Sequence, residues 1–190
     1  HNLERLRSKI APGQPVTALE GSAENLSMLD SGSFDMTLLL GPMYHLSTQE
    51  QRMQAMLEAV RVTKPGGIIM AAYCIAEGSI LKYGFGQHNI AQLIGSGELD
   101  VRDFSFRNQP EDVFVMLRKP EIDDLLRGFP LQRLHYAATD GAAYLMQDML
   151  EQLSEEEFQL YLAYHLTVCE NADLVGVTGH SLDVLRKIEA

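Results

Sequence analysis

The chain has 190 residues, 46% of them hydrophobic, which suffices for one domain with a full core, and the whole span 1–190 reads as that domain. Its formal net charge of −11, with 15 scattered Lys and Arg and no basic run longer than Arg118-Lys119, argues against a nucleic-acid-binding surface. No stretch approaches the roughly 18 unbroken apolar residues of a membrane helix, residues 1–10 read as charged helix rather than a leader, and Cys74 and Cys169 are expected as buried free thiols in a reducing cytoplasm.

Leu3, Leu6 and Ile10 fall at helical spacing, so residues 1–10 look like the end of a helix, stopped by Pro12-Gly13. Residues 16–20 are a short β-favouring run. Residues 33–40, Ser-Phe-Asp-Met-Thr-Leu-Leu-Leu, are apolar on both faces, as in a central parallel strand buried between helix layers. Ser47 with Glu50 makes a capping box, and Met53, Met56, Leu57 and Val60 behind it mark one face of an amphipathic helix. Lys64-Pro65-Gly66-Gly67 ends that helix. Residues 68–74 follow as another apolar strand, completing a βαβ unit.

Short helices are expected over 78–83 and 87–94, around Gly84-Phe85-Gly86, and a short strand over 113–117. Pro120 suits the first turn of a helix running to Arg127, with Ile122, Leu125 and Leu126 turned inward. Residues 131–138 form a strand. Ala142, Leu145, Met146, Met149, Leu150 and Leu153 make one helical stripe. A second capping box, Ser154 with Glu157, opens another helix, striped by Phe158, Tyr161, Leu162, His165, Leu166 and Cys169. Glu155, Glu156 and Glu157 sit in its first turn, where the helix dipole favours them. A last strand is expected over 180–188.

Four local signals stand in order on this framework. They are Gly21-Ser22-Ala23-Glu24-Asn25-Leu26 after the first β run, Ser33-Phe34-Asp35 opening the apolar strand, Gly41-Pro42-Met43-Tyr44-His45-Leu46 after it, and Lys64-Pro65-Gly66-Gly67 before the next. Together they resemble the class I S-adenosylmethionine-dependent methyltransferases, in particular the branch acting on small molecules. The resemblance is specific from residue 16 to about residue 73. It continues more loosely to Thr178-Gly179-His180-Ser181.

The resemblance implies an α/β fold: a doubly wound Rossmann-like sheet with helices on both faces, an antiparallel final strand, and a helical cover over 141–170. Ligands of such sheets bind beyond the carboxyl ends of the strands. The first loop would read the adenine edge of S-adenosylmethionine through Ser22 and Ala23, with Glu24 beside them. Serine stands where the family usually has aspartate, which gives a neutral hydrogen bond in place of a charge-assisted one. Leu40, Gly41 and Tyr44 would face the methionine end. Tyr44 and His45 would stand near the methyl group. An imidazole is suited to taking a proton near neutral pH; the competing reading makes His45 a cofactor-flanking residue, because methyl transfer from a sulfonium rests mainly on alignment.

Asp35 reads as a structural acid. His1, His88, His135, His165 and His180 show no metal-ligand spacing, so no metal is expected. The family's first two strands and its glycine-rich loop have no counterpart, which corresponds to roughly 50 to 70 residues, so the domain is expected to be partial at its N-terminus, a truncated piece rather than a degenerate homologue that has lost its cofactor grip. The run 16–20 matches the family's third strand. A flank of the sheet is therefore expected to lie open and to invite a homodimer. Two functions follow: methyl transfer to a small-molecule acceptor, or a catalytically silent methyltransferase-like module for binding or assembly. A nicotinamide-dependent enzyme would need Gly-x-Gly-x-x-Gly after a strand, and the chain has none.

Overall fold

The computed structural model describes residues 2–189; His1 and Ala190, which the sequence reading included, lie outside them. Among the described residues five strands form one sheet: β1 (Phe34–Leu39), β2 (Thr63–Ile75), β3 (Met116–Leu117), β4 (Leu131–Ala138) and β5 (His180–Lys187). Their order is β1-β2-β5-β4, with the short β3 pairing β2 at Cys74 and Ile75. β1 and β2 run parallel, whereas β5 is antiparallel to both its neighbours. The ends of β1, β2 and β4 and the start of β5 consequently share one rim of the sheet.

Helices fill the connections: α1 (Asn2–Arg7), α2 (Pro42–His45), α3 (Gln49–Val62), α4 (Ala76–Ser79), α5 (Ile90–Ser96) and α6 (Lys119–Leu126). A π-helical stretch, Ile80–Gly86, joins α4 to the segment before α5. Between β4 and β5 come a 3-10 turn (Gly141–Tyr144), α7 (Gln147–Leu150), α8 (Glu155–Val168) and α9 (Ala172–Val175).

The main core lies where α3 and α6 pack on one face of the sheet. Met56, Ile69, Tyr73, Ile122 and Leu185 are buried there. Each large apolar side chain withdrawn from water contributes about 1.5–3 kcal/mol, so this layer carries most of the hydrophobic stabilisation.

Several expectations are corrected by the coordinates. Residues 16–20 form no strand; Val16 and Leu19 are exposed. An extended segment gains a ladder only from a neighbour, and no strand among the described residues lies beside this one. β1 lies where the apolar run 33–40 placed it, but it is an edge strand rather than a buried central one. Phe34, Met36 and Leu38 alternate along an exposed face, and Leu38 is 53% exposed. The capping box of α3 is built by Thr48 and Gln51, one residue later than the Ser47–Glu50 pair.

The buried face of α3 is correspondingly turned. Arg52, Ala55, Met56, Ala59 and Val62 are buried, whereas Met53 and Leu57 are exposed. Small alanines allow the close approach to the sheet that larger side chains would block. The Ser154–Glu157 box does open α8, but no residue of that helix is buried and only a narrow strip including Tyr161 and His165 is half-covered. Cys74 is buried and Cys169 half-buried; both are free.

Candidate active site

The first side of the rim is the turn leaving β1. Gly41 precedes α2, and Pro42 occupies its first position, where the missing N–H has no helical partner to lose. The Tyr44 hydroxyl donates to the Leu40 carbonyl at 2.7 Å, folding the ring back over the turn. Val115 N–H donates to the Tyr44 carbonyl at 2.8 Å, which ties α2 to the segment entering β3. His45 Nδ1 lies 2.7 Å from the Val113 carbonyl. A carbonyl only accepts, so Nδ1 carries the proton and Nε2 of the neutral ring is bare. The Tyr44 and His45 rings meet edge to face at 4.8 Å, and Phe114 lies 5.2 Å from His45.

The opposite side of the rim comes from the end of β4 and the start of β5. Asp140 follows β4 by two residues, and its Oδ1 accepts from the Thr178 hydroxyl and from the N–H groups of Gly179 at 3.0 Å and His180 at 3.1 Å. Its Oδ2 lies 3.1 Å from His180 Nδ1. Burial works to raise the Asp140 carboxyl, but the Thr178 hydroxyl and the contacts from His180 outweigh it and hold the group below the ordinary carboxylate range. The His180 ring stands 6.2 Å from Tyr44 and 6.4 Å from Tyr144, so the two sides of the rim meet at this imidazole. Lys82 places its ammonium 4.4 Å from the Tyr144 ring centre.

Two glycines permit this crowding. A Cβ at Gly78 would collide with the Thr178 carbonyl, and one at Gly179 would lie 2.7 Å from the Tyr144 ring. Cavities of about 380 Å³, bordered by Asp140 and Tyr144, and about 360 Å³, bordered by Val113 and Phe114, flank the cluster. A larger cavity of about 650 Å³ lies away from it, between α6, β4 and α9, where its charged groups are already paired: Arg118 with Glu77 and His135 with Glu170. Cys74 sits at the end of β2, and burial pushes its thiol up to about 11, which keeps it a protonated core residue.

Of the residues singled out from sequence, Leu40, Gly41, Tyr44 and His45 come together at the rim. Ser22, Ala23 and Glu24 form a separate turn beside α3. The Ser22 hydroxyl accepts from Glu24 N–H at 3.2 Å within its own turn, while Ala23 packs on the same core as Leu46. That turn is held from below: Leu26 N–H donates to Glu58 at 2.6 Å, and Arg61 reaches the carbonyls of Leu26 and Leu29. Asp35 is exposed and pairs with Lys64 at 2.7 Å, a structural role. Among the described residues no group of three or more His, Cys, Asp or Glu could hold a metal.

The sequence assigns Asp140 no role, and it carries His180 within the looser Thr178-Gly179-His180-Ser181 resemblance, with no role in the chemistry. The signal was there, an aspartate just past one strand and a histidine opening another. It becomes readable only once Ala138 is known to pair with Ser181.

A sheet of parallel strands into which an antiparallel last strand is inserted next to the end strand is a distinctive topology, and known proteins share it. A family model for a methyltransferase domain matches residues 1–71. A SAM-dependent methyltransferase of Methanosarcina mazei superposes with a TM-score of 0.55 at 14% identity, covering 100% of this chain and 77% of that one. The fold is that of the class I methyltransferases. Loganic acid methyltransferase, solved with SAH, gives 0.55 at 10% identity over 99% of this chain and 71% of its own. The cyclase SpnF gives 0.53 at 16% over 100% and 62%, so the chain spans less than two thirds of that protein. No curated protein matches the sequence.

Proposed function

We propose that this chain transfers a methyl group from S-adenosylmethionine to a small-molecule acceptor. The observation that carries the proposal is the rim on which Gly41, Tyr44, His45, Asp140 and His180 converge in a class I methyltransferase fold. The residues suit an adenosyl sulfonium. A Cβ added at Gly41 would meet nothing closer than the Tyr44 oxygen at 4.0 Å, so the backbone of 40–41 is open to a ligand. The Ser22 hydroxyl, which accepts from Glu24 N–H, keeps a second lone pair for the exocyclic amine of adenine, and the Ala23 N–H can serve a ring nitrogen.

The sulfonium supplies an activated methyl group. The protein's part is to orient the acceptor against the Tyr44 and Tyr144 rings, to keep water from the rim and to receive the acceptor's proton. The helices over 141–170 would cover the acceptor, and the net charge of −11 favours a small molecule over a polyanion. Among the described residues no helix is long and apolar enough to cross a membrane.

Isothermal titration calorimetry with S-adenosylhomocysteine tests the reading. One-site binding is expected, and Gly41→Val should weaken it at least about tenfold, equivalent to about 1.4 kcal/mol. Incubation with methyl-labelled S-adenosylmethionine and pooled alcohols, phenols and amines then identifies the acceptor. A second reading, a silent methyltransferase-like module, draws on the Ser22 hydroxyl being engaged by its own turn. The fold alone does not decide between them. Calorimetry on this chain and on a form extended at its front separates the two: binding by the longer form alone supports the enzyme, and binding by neither supports the silent module.

A further inference from the structure

Methyl transfer to a hydroxyl or an amine releases a proton, and two imidazoles stand at the rim to receive it. They differ in what faces Nδ1. At His45 it is a neutral carbonyl, that of Val113. At His180 it is Oδ2 of Asp140, a carboxylate whose other oxygen is occupied by Thr178 and two backbone N–H groups. Asp140 is thereby locked in rotation, and a carboxylate accepts only, so in the neutral His180 ring the proton sits on Nδ1 and the lone pair on Nε2. An imidazolium formed at His180 faces a fixed negative charge; one formed at His45 faces a dipole. The His180 side chain is 46% exposed and its ring stands near both tyrosines, within reach of a ligand.

We propose that His180 accepts the proton of the methyl acceptor, that Asp140 is its positioning residue, and that the acceptor is a protic group, a hydroxyl or an amine. This rests on the methyl-transfer reading above and names its acceptor chemistry. In the step, the acceptor's oxygen or nitrogen forms a bond to the methyl carbon as the carbon–sulfur bond breaks with its electron pair left on sulfur, while the acceptor's O–H or N–H bond breaks and an N–H bond forms at Nε2. The positive charge that leaves sulfur with the methyl group reappears on the imidazolium facing Asp140, so the charges balance.

Nitrogen-15 spectra of the imidazoles test it, with the His180 signals identified by their loss in His180→Gln. The expected pattern is a protonated Nδ1 and a bare Nε2. Asp140→Asn keeps an oxygen for the backbone donors and turns an amide donor toward Nδ1, so the tautomer should invert. Adding S-adenosylhomocysteine should shift the Nε2 signal of the wild-type protein. A wild-type ring protonated on Nε2, or a tautomer unchanged in folded Asp140→Asn, overturns the inference. An Nε2 signal that stays still while calorimetry registers binding also overturns it and leaves methyl transfer standing. Absence of binding removes both. Should Asp140→Asn fail to fold, the wild-type tautomer and its response to ligand decide the matter.

Discussion

The residues that hold the rim together differ in how they respond to substitution and to pH. With an acceptor in hand, His180→Gln should lower kcat by about 100-fold, the usual weight of a positioned proton acceptor, whereas His45→Gln should cost much less because no carboxylate backs that ring. A separate group governs the Ser22–Glu24 turn. The Arg61 guanidinium, with the Leu26 N–H, pulls the Glu58 carboxyl from 4.5 down to about 2. A carboxylate lowered in the folded state stabilises the fold above its ordinary value, and that contribution is lost as the pH falls through its folded value. The loop over 26–31 should therefore loosen between about pH 4.5 and 2. Hydrogen exchange at the Leu26 amide would register the loss, and Glu58→Gln should flatten it. Side-chain chemistry near the rim was half legible. Tyr44 and His45 follow from a loop that leaves a strand end, whereas Asp140 and His180 lie 40 residues apart and are joined only by the pairing of β4 with β5.

At the level of elements, local signals located the pieces well and their surroundings less well. The strands β1, β4 and β5 lie close to where their apolar runs put them, and α6 begins beside Pro120 as its fixed φ requires. The inward face of α3 could not be read from hydrophobicity alone, because Ala55 and Ala59 pack against the sheet while the larger Met53 and Leu57 are left outside. Its start lies one residue past the Ser47–Glu50 pair, because Ser47-Thr48 followed by Glu50-Gln51 offers two overlapping capping boxes. Thr48→Ala should cost about 1 kcal/mol in urea denaturation and Ser47→Ala much less, a contrast that would verify which hydroxyl caps the helix.

For the molecule as a whole, sequence gave the fold class but not the state of its open flank. The segment 16–20 has strand-forming residues and no strand to join, and β1 has one edge without a strand partner among the described residues. We expect two copies to pair through β1 edges, burying Met36 and Leu38. Light scattering should show a dimer that strengthens as salt screens the charge of −11 on each chain. Leu38→Lys should return it to monomer, and a clean monomer at every salt concentration would sink the expectation.

The reversed direction of β5 has a practical corollary. Its first residue, His180, stands at the ligand rim, while Lys187 at its other end donates to the carbonyls of Val60 and Thr63 on the opposite rim. A dye, surface linker or fusion partner joined just past Lys187 would thus hang on the far side of the molecule, leaving the entrance unobstructed for immobilised binding assays.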